Sequence, residues 1–198
     1  EFRRVLFRSM IEKDKGSLEW LTLIDPGTTS CFAVLFMAYN PYTAQIFILD
    51  EIYEQKRINT STGSIWPRIE AIEKKYYKHP HKWRRIADEA ASWFINEVWD
   101  RYNVPIESTQ KAANKIDFGI SLMRDLMSAN NKFFIASDCL KFIWEIENYV
   151  EEDGKLPGKN DHLIDAARYG LAAIRYSSNE EVDEDKEDEL ERDKAIRS

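Results

Sequence analysis

Three β-favouring runs crowd into residues 18–53, and the connections between them are too short to hold a helix, so neighbouring runs can pair only as antiparallel strands. The first, Leu18 to Ile24 (LEWLTLI), stops at the turn signature Asp25-Pro26-Gly27. The second, Cys31 to Tyr39, turns through Asn40-Pro41-Tyr42-Thr43 into the third, Ala44 to Tyr53. The pattern then changes. After a polar loop from Arg57 to Gly63, Ile65, Ile69 and Ile72 keep helical spacing up to Tyr77. Short apolar runs then alternate with helical periodicity. Arg84 to Ala87 reads as a strand, Ser92 to Tyr102 as a helix, Val104 to Glu107 as a strand and Asp117 to Ala129 as an amphipathic helix. Phe133 to Ile135 is a short extended piece, Leu140 to Val150 is helical, and Glu151 to Lys159 is a turn-rich loop. The closing helix, Asp161 to Arg175, lays Leu163, Ala166, Ala167, Gly170, Leu171 and Ile174 along one packing side. Parallel strands need crossover connections, so the expected architecture is α/β: a mixed five-stranded sheet, an antiparallel meander followed by parallel strands, flanked by helices on both faces.

At 198 residues the chain is long enough for one α/β domain with a substantial core. Apolar residues make up 43% and there are only seven glycines and six prolines, which excludes collagen-like and wholly disordered chains. The longest apolar run, Cys31 to Tyr39, falls short of the ~20 residues a membrane span requires. No segment has the layout of a signal peptide, and Cys31 and Cys139 lack CxxC spacing, so buried reduced thiols and a cytoplasmic location are expected. The net charge of −7 argues against a nucleic-acid partner until its distribution is considered. Ser177 to Ser198 holds ten acids and four bases, which leaves 25 acids against 24 bases in the rest of the chain. That tail has too few apolar residues to bury and is expected to be disordered. The basic-apolar stretch EFRRVLFRS before Met10 is expected to be a non-native or disordered leader, so the domain itself is placed at residues 10–176.

Three acids occupy telling positions: Asp25 at the end of the first strand, Asp88 at the end of the fourth, and Asp165 in the closing helix beside Asp161 and His162. Strand ends are where mixed α/β sheets build ligand sites. Residues three and four apart share a helix face, so Asp161 and Asp165 point nearly the same way with His162 alongside. Gathered carboxylates repel and are costly to desolvate, and a divalent cation relieves both. Oxygen donors suit Mg²⁺ or Mn²⁺, and two such ions can support phosphodiester hydrolysis. Simpler roles compete at each position. Asp25 in Asp-Pro-Gly suits a turn, Asp88 suits a cap for the next helix, and Asn160 or Asp161 suits an N-cap. Asp165 has no such role, because its neighbours inside the helix are small or apolar.

These residues resemble the nuclease domain of the large terminase subunit of tailed bacteriophages over about Leu18 to Ile174. The most specific piece is NDHLIDAARYGLAAI (Asn160 to Ile174), which is similar to a closing Asp-His-x-x-Asp-Ala-x-Arg-Tyr helix. LIDPGTTSCFAVLF around Asp25, RIADEAA around Asp88, and the order Lys115, Gly119-Ile120, FFIASDCLKFIWEIENYVEEDGK agree with it. The resemblance implies a ribonuclease H-like fold and a metal-dependent endonuclease that cuts concatemeric double-stranded DNA during genome packaging. It carries the metal-binding acids to Asp25, Asp88 and Asp165 and the histidine near the second metal to His162, and Asp161 fits the same metal-binding motif. It also implies an ATPase motor, a small terminase subunit and a portal as partners. No G-x-x-x-x-G-K-[ST] loop occurs: Gly154 to Asn160 (GKLPGKN) has the wrong glycine spacing and ends in Asn, so no motor is expected within this sequence.

DNA contact requires cations. Lys74 to Arg85 (KKYYKHPHKWRR) interleaves eight basic or imidazole side chains with Tyr76, Tyr77 and Trp83, which nominates Lys82 and Arg84, although a solvated helix end explains the stretch as well. Lys111 and Lys115 are the other candidates, the latter at a position the family tends to keep basic. The competing readings are another ribonuclease H-like nuclease, such as a RuvC-type junction resolvase or a ribonuclease H, and a non-catalytic interaction module.

Overall fold

The computed structural model describes residues 2–26, 31–55, 61–109, 116–149 and 161–174. The chain enters through α1 (Phe2–Asp14) and then forms the meander β1 (Glu19–Asp25), β2 (Phe32–Asn40) and β3 (Gln45–Glu54). It continues through α2 (Thr62–Tyr76), β4 (Trp83–Ala87), α3 (Ser92–Tyr102), β5 (Glu107–Ser108), α4 (Ile116–Ser128), β6 (Phe133–Ile135) and α5 (Leu140–Asn148). A last helix, α6, covers residues 162–174. Among the described residues the strands form one sheet in the order β5-β4-β1-β2-β3-β6. β1–β2 and β2–β3 are antiparallel, whereas β1–β4, β4–β5 and β3–β6 are parallel.

This is the expected mixed α/β architecture with six strands rather than five. The additional strand is the extended piece Phe133–Ile135, which pairs Ile46↔Phe133, Phe47↔Phe134 and Ile48↔Ile135. Three residues carry almost no periodicity of their own, and only the partner strand makes them a strand. β5 is likewise shorter and later than the expected 104–107, because the ladder with β4 closes only at Ile86↔Glu107 and Ala87↔Ser108. α2 begins at Thr62, so the end of the expected polar loop is helical. The boundary expected between residues 9 and 10 falls inside α1, where Phe7 packs edge-on to Phe47 at 5.9 Å and Ile11 is buried. The 177–198 tail lies outside the described residues.

Strands covered on both faces become apolar throughout, and β1 and β2 are buried almost end to end. Alternation sends Trp20 and Ile24 of β1 into one layer with Ile65 and Trp66 of α2, and Phe94 of α3. Leu21 and Leu23 go into the opposite layer with Met123 of α4, Phe142 of α5 and Leu163 of α6. One polar group interrupts the first layer. The buried Arg85 and Glu73 form a two-pronged ion pair, Nε to Oε1 at 2.9 Å and Nη2 to Oε2 at 2.6 Å, and the Thr22 hydroxyl donates to Glu73 at 2.8 Å. Cys31 and Cys139 are buried free thiols. No helix among the described residues is long and apolar enough to cross a membrane.

The contact that sets the level of α6 over the sheet is made by a glycine. A Cβ at Gly170 would stand 2.4 Å from Leu23 Cδ1 and 2.7 Å from Cδ2, and Leu23 is fully buried, with little room to retreat. Gly170→Ala should therefore lift α6 from β1 and destabilise the protein by about 1–3 kcal/mol, the usual cost of overpacking. Urea denaturation checks this, and unchanged stability would show that the interface has slack.

Candidate active site

β1 and β4 run parallel with Leu23↔Ile86 and Ile24↔Ala87 in register, so Asp25 and Asp88, one residue further on, stand at the same level at the strands' C-terminal ends. Alternation turns both toward the layer that holds Leu23, Ile86 and α6. α6 lies across this edge. Its His162 Nδ1 is 2.9 Å from Asp25 Oδ2, and its Tyr169 hydroxyl donates to Asp88 Oδ2 at 2.5 Å. Asp165, one turn into the helix, accepts from Arg168 Nη2 at 2.8 Å and Nε at 3.2 Å. Arg168 fits because α4 presents Gly119 to it: a Cβ there would overlap the Arg168 Cγ, at 1.9 Å. Asp161 sits at the start of the helix, where its carbonyl accepts the Asp165 amide at 2.7 Å.

The structure thus brings Asp25, Asp88, Asp161, His162 and Asp165 to one sheet edge. Local and shared roles coexist at Asp88, whose Oδ1 also accepts the Ala90 amide at 2.7 Å and caps the 3₁₀ turn Glu89–Ala91. The nominated cations behave differently. Lys82 precedes β4, at the end of the sheet opposite Asp88. Arg84 is spent on a two-pronged bond to Glu107, at 2.9 and 2.7 Å. Lys111 and Lys115 lie outside the described residues.

The electrostatics are those of crowded acids. Burial raises the pKa of Asp165, and Arg168 opposes the rise while Asp161 and Asp25 add to it. Burial likewise raises Asp161, with His162 opposing and Asp25 reinforcing. The Tyr169 phenol is driven up by burial and by its bond to Asp88, so it remains a neutral donor. His162 moves the other way in effect. Its bond to Asp25, helped by one to Cys31, pushes its pKa up to about 10 and keeps it cationic.

Four participants escaped the sequence reading. Tyr169 and Arg168 stand four and three residues after Asp165, and that spacing on one helix face was the available signal. Glu145 of α5 and Glu51 of β3 act at a distance. The Glu145 carboxylate accepts the Leu163 and Ile164 amides at 2.9 and 3.2 Å and so caps α6. Glu51 accepts the Lys141 and Phe142 amides at 2.8 Å each and caps α5. Glu145 is nearly fully buried, Oε1 has no partner, and its pKa is pushed up to about 7. A Glu three residues after Phe142, on the apolar side of a helix, was the only hint in the sequence.

Among the described residues no three acids, histidines or cysteines surround a common point as a metal site requires. Asp25 faces His162, Asp88 faces Tyr169 and Asp165 faces Arg168. The donor chemistry nevertheless suits a hard divalent cation: the acids come from separate elements at one edge, and each meets its present partner through side-chain rotamers that can turn.

The His162 contact gives a direct test. Its folded pKa lies above the ordinary 6.5, so its stabilisation is complete below that pH and is lost as pH rises toward 10. By NMR on metal-free protein, the imidazole should remain protonated at pH 8, and Asp25→Asn should move its titration down toward the ordinary range. Titration near 6.5 in the parent protein would show that the contact is absent.

No family model matches the chain. By sequence it is similar to the large terminase subunit of Escherichia phage T5, 27% identical over 172 residues and 82% of this chain. It is also similar to that of Salmonella phage P22, 37% identical over 65 residues and 32% of this chain. The matched stretches span 37% and 13% of those two proteins. By structure it is similar to the P22 large terminase nuclease domain, with TM-score 0.65, 19% identity, and coverage of 80% of this chain and 82% of that one. It is likewise similar to the large terminase nuclease domain of bacteriophage SPP1 with bound Mn, with TM-score 0.56, 22% identity, and coverage of 77% and 84%. The chain is a sequence relative of phage large terminase subunits, and its described residues have the fold of their nuclease domain.

Proposed function

We propose that this chain is a divalent-cation-dependent endonuclease that cuts concatemeric double-stranded DNA during phage genome packaging. The observation that carries the reading is the levelling of Asp25 and Asp88 on adjacent parallel strands, with His162 and Asp165 of α6 closing over them. The SPP1 nuclease domain was crystallised with Mn, which supports Mn²⁺ or Mg²⁺ as the cation. Asp25 and Asp88 would hold one ion, and Asp25 with Asp165 the other, with Asp161 and His162 at its margin. Bound there, the ions would supply an activated water and neutralise charge on the leaving 3′ oxygen.

The remaining work falls to the protein. Until a cation arrives, Tyr169 holds Asp88 through its hydroxyl and Arg168 neutralises Asp165. His162, as a cation against Asp25, offsets the repulsion that three carboxylates at one edge would otherwise exert. The strand ends set Asp25 and Asp88 level before any cation arrives, and their side chains turn to meet it. In the packaging machine the reading places an ATPase motor, the small terminase subunit and the portal beside this chain.

Loss of a residue that only orients a metal ligand usually costs about 10–100-fold, so loss of a ligating acid should cost more. Asp25→Ala, Asp88→Ala and Asp165→Ala should each slow plasmid cutting in Mn²⁺ by about 100-fold or more. Variants that cut as fast as the parent would refute the reading. Cutting confined to four-way junctions or to RNA–DNA hybrids would refute the choice of substrate.

A further inference from the structure

An acid-lined edge repels the DNA backbone, so a nuclease built on it needs cations beside the acids whose charge is not already consumed by a carboxylate. Most cations near this edge are consumed. His162 is bound to Asp25, Arg168 to Asp165, and Arg84 to Glu107. Lys141 is held differently. Its ammonium lies 3.7 Å from the Trp144 ring centroid and 4.8 Å from that of Tyr53, and among the described residues no carboxylate lies within ion-pair distance of it. Glu51 and Glu145 are near enough to feel its charge, but both are engaged with backbone amides.

Local helix chemistry does not account for this lysine. It occupies the first turn of α5, where the helix dipole favours an acid over a base. Its position relative to the site follows from the register. Tyr53 pairs with Ala33 and Ala33 with Asp25, so Tyr53 ends its strand at the level of Asp25, two strands away, or about 10 Å at the usual inter-strand spacing. Ala33 and Tyr53 belong to the layer that α6 covers, and Asp25, paired directly with Ala33, shares their face. Two aromatic rings therefore hold a cation on the β3 side of the acids without neutralising it. Trp144, 42% exposed, and Leu140, 70% exposed, leave the surface around it open.

We propose that Lys141, gripped between Tyr53 and Trp144, docks a backbone phosphate of duplex DNA beside the acidic edge. This rests on the nuclease reading and names a contact by which the substrate is held. It replaces Lys82 and Arg84, both toward the far end of β4, as the cation to test first.

The experiment measures duplex binding by fluorescence anisotropy in EDTA, where nothing is cut, from about 50 to 200 mM salt. One phosphate contact contributes about 0.9 to the slope of log affinity against log salt, so the parent should lose roughly threefold more affinity over that range than Lys141→Ala. Lys141→Gln should behave like Lys141→Ala, Lys141→Arg should restore the slope, and Lys82→Ala should leave it unchanged. Thermal melts confirm that each variant is folded. Parental affinity and slope in both Lys141→Ala and Lys141→Gln would overturn the docking role. Because the assay involves no cleavage, that outcome would leave the acids' role standing, while a parent protein that cuts no DNA in Mn²⁺ would remove the nuclease reading on separate grounds.

Discussion

The close contact of α6 with β1 is the constraint from which the rest of the site follows. Gly170 lets the helix descend until its backbone meets the Leu23 side chain, and the same helix brings the adjacent Tyr169 to Asp88 and, about two turns away, His162 to Asp25. A helix lifted by one methyl group would carry Tyr169 away from Asp88 and His162 away from Asp25 together. Two carboxylates, one buried and one half-buried, then fix where along the sheet the helix lies. Glu51 of β3 holds the first turn of α5, and Glu145 of α5 holds the first turn of α6. The orientation of the closing helix is thus transmitted from the central sheet through charge-assisted bonds to helix N-termini, where such bonds are strongest.

Each acid at the edge has its own neutral or cationic partner: Asp88 has a phenol, Asp25 an imidazolium and Asp165 a guanidinium. Carboxylates crowded without compensation would raise one another's pKa and weaken the fold; at Asp161 and Asp165 burial already raises the pKa, and the neighbouring Asp25 adds to it. The partners explain how a folded domain tolerates the cluster. They also define what an arriving cation would have to displace.

The sequence announced the frame clearly, because a meander followed by strand–helix alternation leaves few topologies and the long apolar runs of β1 and β2 can only be buried strands. It also pointed to one sheet edge, since Asp25 and Asp88 stand at strand ends and Asp165 lies on the closing helix, although Asp165 has a local partner in Arg168 that its spacing did not reveal. What it hid depends on tertiary pairing. Phe133–Ile135 becomes a strand only beside Ile46–Ile48, and Phe7 and Ile11 belong to the core only because α1 lies over β3. Glu145 and Glu51 looked like ordinary acids among charged neighbours until the helix ends they cap came into view. The basic run Lys74–Arg85 misled for the opposite reason. Arg85 is buried against Glu73, Arg84 is paired with Glu107, and Lys82 starts β4 at the far end of the sheet from Asp88.

The central claim is that the acids of β1, β4 and α6 form one cation site. Anomalous diffraction from crystals of this protein soaked in Mn²⁺ tests it most directly. The account predicts peaks enclosed by the carboxylates of Asp25, Asp88 and Asp165, with Asp88 turned from Tyr169 and Asp165 from Arg168. An edge free of anomalous signal at saturating Mn²⁺, with those acids still bound to His162, Tyr169 and Arg168, would contradict it.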